Sequence, residues 1–189
     1  MTDRPLTGKH VAIMVANGFE ETEFTEPQKR LLQAGATVKV VSRANGLVNG
    51  WYENTWGHFF PVDGDLAETL AIDFDGLIVP GGMRSMEKLV EDAHAKRILA
   101  AFMRAETPAL VFSDAVRLLG VTDNLSGRAL TGAEDCRAEA ETAGGRWQES
   151  EVVHDGNLVT GIGGAATEAA LEKFIALVEA YEREVTAAA

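Results

Sequence analysis

Apolar residues along this 189-residue chain fall in short unbroken runs, and stretches with helical periodicity separate them. "HVAIMVA" (10–16), "TVKVVS" (37–42), "FDGLIVPGG" (74–82) and "PALVFS" (108–113) carry Val, Ile and Leu without alternation. Such runs predict strands buried on both faces, the third leading into a glycine turn. Between them, "EPQKRLLQAG" (26–35) predicts a helix with Pro27 in its first turn and Gly35 at its end. "SMEKLVEDAHAKRILAAFMRAE" (85–106) predicts one or two helices, "DAVRLLG" (114–120) a short one, and "EDCRAEAETAGG" (134–145) one that stops at glycines. "ATEAALEKFIALVEAYERE" (166–184) predicts a closing helix, "GRALT" (127–131) a strand, and "EVVHDGNLVTG" (151–161) a hairpin turning at Asp155-Gly156. Residues 43–66 are too aromatic for a flexible loop and are expected to pack on the domain as a hairpin or excursion. Strands alternating with helices imply an α/β fold: a three-layer sandwich with a central, mostly parallel sheet, formed as one domain over residues 1–189.

Composition narrows the function. Lys and Arg total 17 against 29 Asp and Glu, a formal charge of −12, which repels phosphate backbones and argues against nucleic acid as a partner. No run reaches the ~18 apolar residues of a membrane span, and the first residues lack a signal-cleavage pattern. Cys136 is the single cysteine, so no internal disulfide can form. A cytoplasmic protein without cofactor is expected. No His/Cys spacing suits zinc, and a metal held by Asp114, Glu20 and Glu23 is not expected.

In sheets of this kind, ligands bind beyond the carboxyl ends of the strands. Three turns lie there: "ANGFEETEF", with Glu20, Glu21 and Glu23; "PGGM", with the amides of Gly81, Gly82 and Met83; and "FSDA", with Ser113 and Asp114. A serine nucleophile needs a general base. Of His10, His58, His94 and His154, none sits on one of these turns, and only His58 could swing close. G-x-S-x-G is absent. Ser113 therefore reads as a helix cap and Asp114 as a first-turn carboxylate, with Arg84 and Arg117 as candidate partners of Glu23 or Asp114. Glu20 and Glu21 read as surface or hydrogen-bonding residues. Cys136, beside Glu134, Asp135 and Glu139, should have a raised thiol pKa and be no nucleophile.

"NGFEETEFTEP", "GLIVPGG", "LSGRALTG" and "VVHDGNLVTG" together resemble the ThiJ/PfpI (DJ-1-like) superfamily, of class I glutamine-amidotransferase-like fold, from about residue 10 to residue 180. "NTWGHFFPVDG" is similar to an aromatic insertion of a bacterial subgroup. The resemblance implies a flavodoxin-like sandwich, a homodimer, a carboxyl at Glu23 beside the elbow residue, and oxyanion-binding amides at Gly81, Gly82 and Met83. It also implies a nucleophilic cysteine where this chain has Ser113. Asp114 replaces the family's His, Ala or Thr, and Ala133 stands where many relatives carry an aromatic residue or His. The expected function is that of a pseudoenzyme, with a binding, regulatory or stress-related role and a small polar or anionic ligand near Gly81, Gly82, Met83, Arg84 and Arg117. The alternative is a slow enzyme built on Ser113, Glu23 and Asp114 that acts on reactive carbonyls or amides (glyoxalase-, deglycase-, hydratase- or amidase-type). A base within ~3 Å of the Ser113 hydroxyl would favour the enzyme, and a purely backbone partner the cap.

Overall fold

The computed structural model describes residues 4–184. In chain order its elements are β1 (His10–Met14), β2 (Phe19–Glu20), α1 (Thr22–Gln33), β3 (Thr37–Ser42), β4 (Leu47–Tyr52), β5 (Thr55–Pro61), β6 (Gly64–Asp65) and β7 (Gly76–Val79). Then follow α2 (Met83–Leu89), α3 (Ala93–Arg104), β8 (Ala109–Phe112), α4 (Val116–Val121), β9 (Ala129–Leu130), α5 (Arg137–Thr142), β10 (Arg146–Trp147), β11 (Val152–Asp155), β12 (Leu158–Gly161) and α6 (Thr167–Ala180).

The uninterrupted apolar runs become the middle of a seven-stranded sheet, ordered β11-β12-β8-β7-β1-β3-β6. All its pairings are parallel except β11 with β12, which form the hairpin. Successive strand residues face opposite sides, and the core divides accordingly. Ala12, Met14, Leu77, Val79 and Val111 pack against Met86 of α2, Ile98 and Phe102 of α3 and Leu119 of α4. Val11, Ile13, Ile78, Leu110 and Phe112 pack against Phe24 and Leu31 of α1 and Leu171 and Phe174 of α6. These are the three layers the pattern predicts. Among the described residues no helix is long and apolar enough to cross a membrane.

Three details depart from expectation. Helix α1 begins at Thr22, so Pro27 lies inside it rather than in its first turn. The Glu21 carbonyl accepts from the Thr25 amide at 2.9 Å and starts the helix a turn early. Of "GRALT" only Ala129 and Leu130 are strand, and they pair with β10 in a separate two-stranded sheet. The aromatic segment does form a hairpin, β4–β5, but β2 extends it to a third small sheet. Phe60 anchors that sheet against Phe19 and Phe24, with ring centroids 5.7 and 4.8 Å away.

The sheet order positions the site. The chain steps from β1 to β3 on one side, then returns to place β7 and β8 on the other. The turns after β1, β7 and β8 therefore meet at the carboxyl ends of neighbouring strands, where this fold class opens its crevice.

Candidate functional site

Strand β8 ends at Phe112, and Ser113 then adopts φ +49°. A non-glycine residue in the left-handed region costs about 1–2 kcal/mol, and such conformations concentrate where a side chain must be aimed. The Ser113 hydroxyl bonds the Glu23 carboxyl and the Ile162 carbonyl oxygen, the latter at 3.0 Å. It caps nothing: the one-turn 3-10 helix from Ser113 to Ala115 and α4 after it carry no side-chain cap. The capping expectation is thus overturned by the positive φ, which directs the hydroxyl across the site.

Glu23 enters from the first turn of α1 and is buried. Its Oε2 accepts the Gly81 N–H at 2.7 Å, and its Oε1 meets Ser113. Burial is the main cause of a pKa raised to about 7, reinforced by the charges of Asp114 and Glu20 and opposed by the bonds to Ser113 and Gly81. Proton counting agrees. A hydroxyl has one proton, and the Ile162 carbonyl can only accept. When Ser113 donates to Ile162, Glu23 must bring its own proton to the shared contact.

Asp114 closes the other side. Its Oδ1 accepts the Gly82 N–H at 2.7 Å. Burial raises its pKa, while the bonds from the Gly82 and Asp114 amides oppose the rise. The glycine turn brings both amides to these carboxyls. Gly82 has φ +117°, and a Cβ there would lie 2.5 Å from the Gly18 carbonyl oxygen and 2.8 Å from the Phe19 Cα. The Gly81 and Gly82 amides, expected as oxyanion donors, thus each hold a carboxyl of the protein itself.

The arginines do not play their expected part. The Arg84 guanidinium stacks over Trp51, 3.8 Å from the ring centroid, and Trp56 meets Trp51 edge-on. Arg117 pairs with Glu139 at 3.3 Å and offsets only a little of the rise at Asp114. Neither is bonded to Glu23 or Asp114. Long side chains sit where nearby aromatic faces and carboxylates draw them, which position in the sequence does not disclose. Met83 opens α2 beside the site with its side chain exposed.

One participant was missed, and Glu21, read as a surface or hydrogen-bonding residue, proves to be a buried hydrogen-bonding one. Ile162, just past β12, supplies the carbonyl that Ser113 meets. Glu21 is buried as a wedge in the β4–β5 hairpin: its carboxylate accepts the His58 N–H at 3.0 Å and bonds the His58 ring at 2.5 Å. A Cβ on Gly50 would come within 2.8 Å of that carboxylate, and one on Gly57 would collide with it. Glycines in two facing strands were the available signal. His58 is thereby engaged, and no histidine is bonded to the Ser113 hydroxyl. Cys136 is buried, and its thiol is pushed up to about 12, first by burial and then by Asp135 and Asp114.

The sequence profile of the DJ-1/PfpI family matches residues 9–177. The chain belongs to the DJ-1/PfpI family. Two uncharacterized proteins resemble it: one from Staphylococcus saprophyticus, 36% identical over 155 residues and covering 80% of this chain and 87% of its own, and one from Staphylococcus haemolyticus, 34% identical with the same coverage. A two-domain protein from Anabaena variabilis, containing DJ-1/ThiJ/PfpI-like and ferritin-like domains, superposes with a TM-score of 0.84 at 26% identity. The match covers 89% of this chain but 47% of that protein. A ThiJ/PfpI domain protein from Brachyspira murdochii gives the same TM-score at 19% identity, covering 94% of this chain and 99% of its own, which supports the fold alone.

Proposed function

We propose that this chain is a pseudoenzyme of the DJ-1/PfpI family: a cytoplasmic homodimer that binds rather than turns over, in a regulatory or stress-related role. One observation carries the reading. Two of the three amides expected to face a developing oxyanion are already bonded to carboxyls, Gly81 to Glu23 and Gly82 to Asp114, each at 2.7 Å. Removing one oxyanion donor from a working site costs about 3–4 kcal/mol in the transition state. A carboxylate in its place also repels the charge that must form. Glu20, Glu23 and Asp114 disfavour an anion at the elbow, so the ligand that fits is small, polar and rich in hydrogen-bond donors.

A slow serine enzyme is the second reading. The contact between the Glu23 carboxyl and the Ser113 hydroxyl, at an elbow of left-handed φ, favours it. Turnover of methylglyoxal by wild type, Ser113→Ala, Ser113→Cys and Ser113→Cys with Asp114→His separates the two. Wild type and Ser113→Ala should be equally inactive. The double variant should exceed Ser113→Cys by about tenfold or more, because each pKa unit of thiolate disfavour is worth ~1.4 kcal/mol. Robust wild-type turnover that vanishes in Ser113→Ala would install Ser113 as a nucleophile and sink the pseudoenzyme reading.

A further inference from the structure

Helix α6 ends at Ala180, and Tyr181 turns away from it in an extended conformation, φ −75° and ψ 130°. Residues 181–184 then cross the amino end of the central sheet, opposite the elbow, and polar contacts fasten them at three places. The Tyr181 carbonyl accepts from the Lys9 ammonium, immediately before β1. The Tyr181 hydroxyl meets the Thr107 hydroxyl, shortly before β8, at 2.9 Å. The Arg183 guanidinium bonds the Asp75 carboxylate, immediately before β7, at 2.8 Å and the Asp73 carbonyl oxygen at 2.8 Å. The strap thus spans the starts of the three middle strands, β1, β7 and β8.

Two features set this strap apart from ordinary packing. Its residues, Tyr-Glu-Arg-Glu, include no aliphatic side chain, and with Ala71, Ile72, Phe74, Ala101 and Ala105 they border a cleft of about 580 Å³ instead of filling it. A segment held by few buried apolar contacts opens at lower cost than the core does. The second feature is Asp75, which is only 2% exposed. Its Oδ2 accepts the His10 N–H at 2.7 Å, and its own N–H donates to the His10 carbonyl at 2.7 Å, so it staples β1 to β7. Arg183 is its one ion-pair partner among the described residues. A buried carboxylate that loses its counter-charge destabilises whatever holds it.

We propose that residues 181–184 form a releasable strap that controls opening of the β1–β7 junction. With Arg183 on Asp75 the junction is locked. Each release of the strap strips the buried carboxylate of its counter-charge and loosens the His10–Asp75 staple behind it. Strap and junction therefore open as one event, short of global unfolding. At their far ends β1 and β7 lead into the Gly18 turn and the Gly81-Gly82 turn, so the device acts on the scaffold of the elbow without touching its residues. It does not depend on whether the elbow binds or turns over, because the readout is local opening.

Residue-resolved amide hydrogen exchange on the full chain tests it. In wild type the His10 and Asp75 amides should exchange faster than those of Ile13 and Ile78 in mid-strand. Arg183→Gln should speed exchange at His10 and Asp75 about tenfold, between the effects of an exposed and a buried ion pair, and lower the melting temperature by about 3–6 °C. Tyr181→Phe, which removes only the hydroxyl facing Thr107, should speed the same two amides about threefold. In an Asp75→Asn background, where the amide oxygen still accepts from His10, Arg183→Gln should change exchange less than twofold. Equal protection of all four amides, no effect of Arg183→Gln or of Tyr181→Phe at His10 and Asp75, or an Arg183→Gln effect of the same size with and without Asp75→Asn would overturn the proposal.

Discussion

Glu23 is the residue on which the elbow's charge state turns. Its carboxyl titrates near 4.5 when the chain is unfolded and near 7 when folded, with burial the main cause. Between those values the folded state holds the proton that the unfolded state has lost, so stability falls as pH rises through that window and is lowest above it. The raised pKa values of Asp114 and Glu20 act in the same direction. A shift of this size corresponds to roughly 3 kcal/mol. Glu23→Gln reproduces the protonated acid, with its amide donating to Ser113 and its carbonyl oxygen accepting from Gly81. Thermal melts should show wild type losing stability from about pH 4.5 to pH 7, and Glu23→Gln losing distinctly less. An unaltered pH slope in the variant would remove Glu23 from this role. The meeting of Glu23 and Ser113 was legible from the family resemblance, and the turns that carry them follow β1 and β8, which flank β7. The aim of the Ser113 hydroxyl was not. "FSDA" spells a helix cap as readily as an elbow, and only the backbone angle at 113 decides between them.

At the scale of elements, the β4–β5 hairpin depends on Glu21. A bulge near Gly50 breaks the register between Asn49 and Trp51, and the Glu21 carboxylate fills the gap by bonding both the backbone and the ring of His58. Gly57→Ala should push that carboxylate aside and leave it buried without its partners. A loss of about 2–3 kcal/mol is expected, in the range for an unsatisfied buried charged group. Faster proteolytic cutting between residues 51 and 60 should accompany it. Unchanged melting and cutting would show that the wedge bears no weight. The hairpin itself was legible from its aromatic content, and the main strands from unbroken Val/Ile/Leu runs. The start of α1 and the small size of β9 were not. Their limits depend on hydrogen bonds to distant segments, such as Glu20 N–H to the Gly81 carbonyl at 2.8 Å and Arg146 N–H to the Arg128 carbonyl at 2.8 Å. Local propensity carries no trace of those.

For the whole molecule, β5 is the telling edge. It ends the small sheet, holds no lysine or glutamate, and leaves Trp56 51% and Phe59 66% exposed. An apolar edge without charges invites strand pairing, so a twofold dimer through this hairpin is proposed, each copy covering the other's Trp56 and Phe59. Light scattering should give twice the chain mass at micromolar concentration, and Phe59→Lys should give a monomer. A wild-type monomer would refute it. The elbow gives the molecule another property. The Gly81 and Gly82 amides, from the turn after β7, are held by carboxyls from α1 and from the turn after β8, so three separate stretches of chain are riveted at one point. In a working enzyme, active-site groups are usually kept at some expense of stability, and replacing them tends to harden the fold. The Glu23 carboxyl carries the same expense here: its burial costs stability once pH rises past its raised pKa, while its bond to the Gly81 amide ties α1 to the turn after β7.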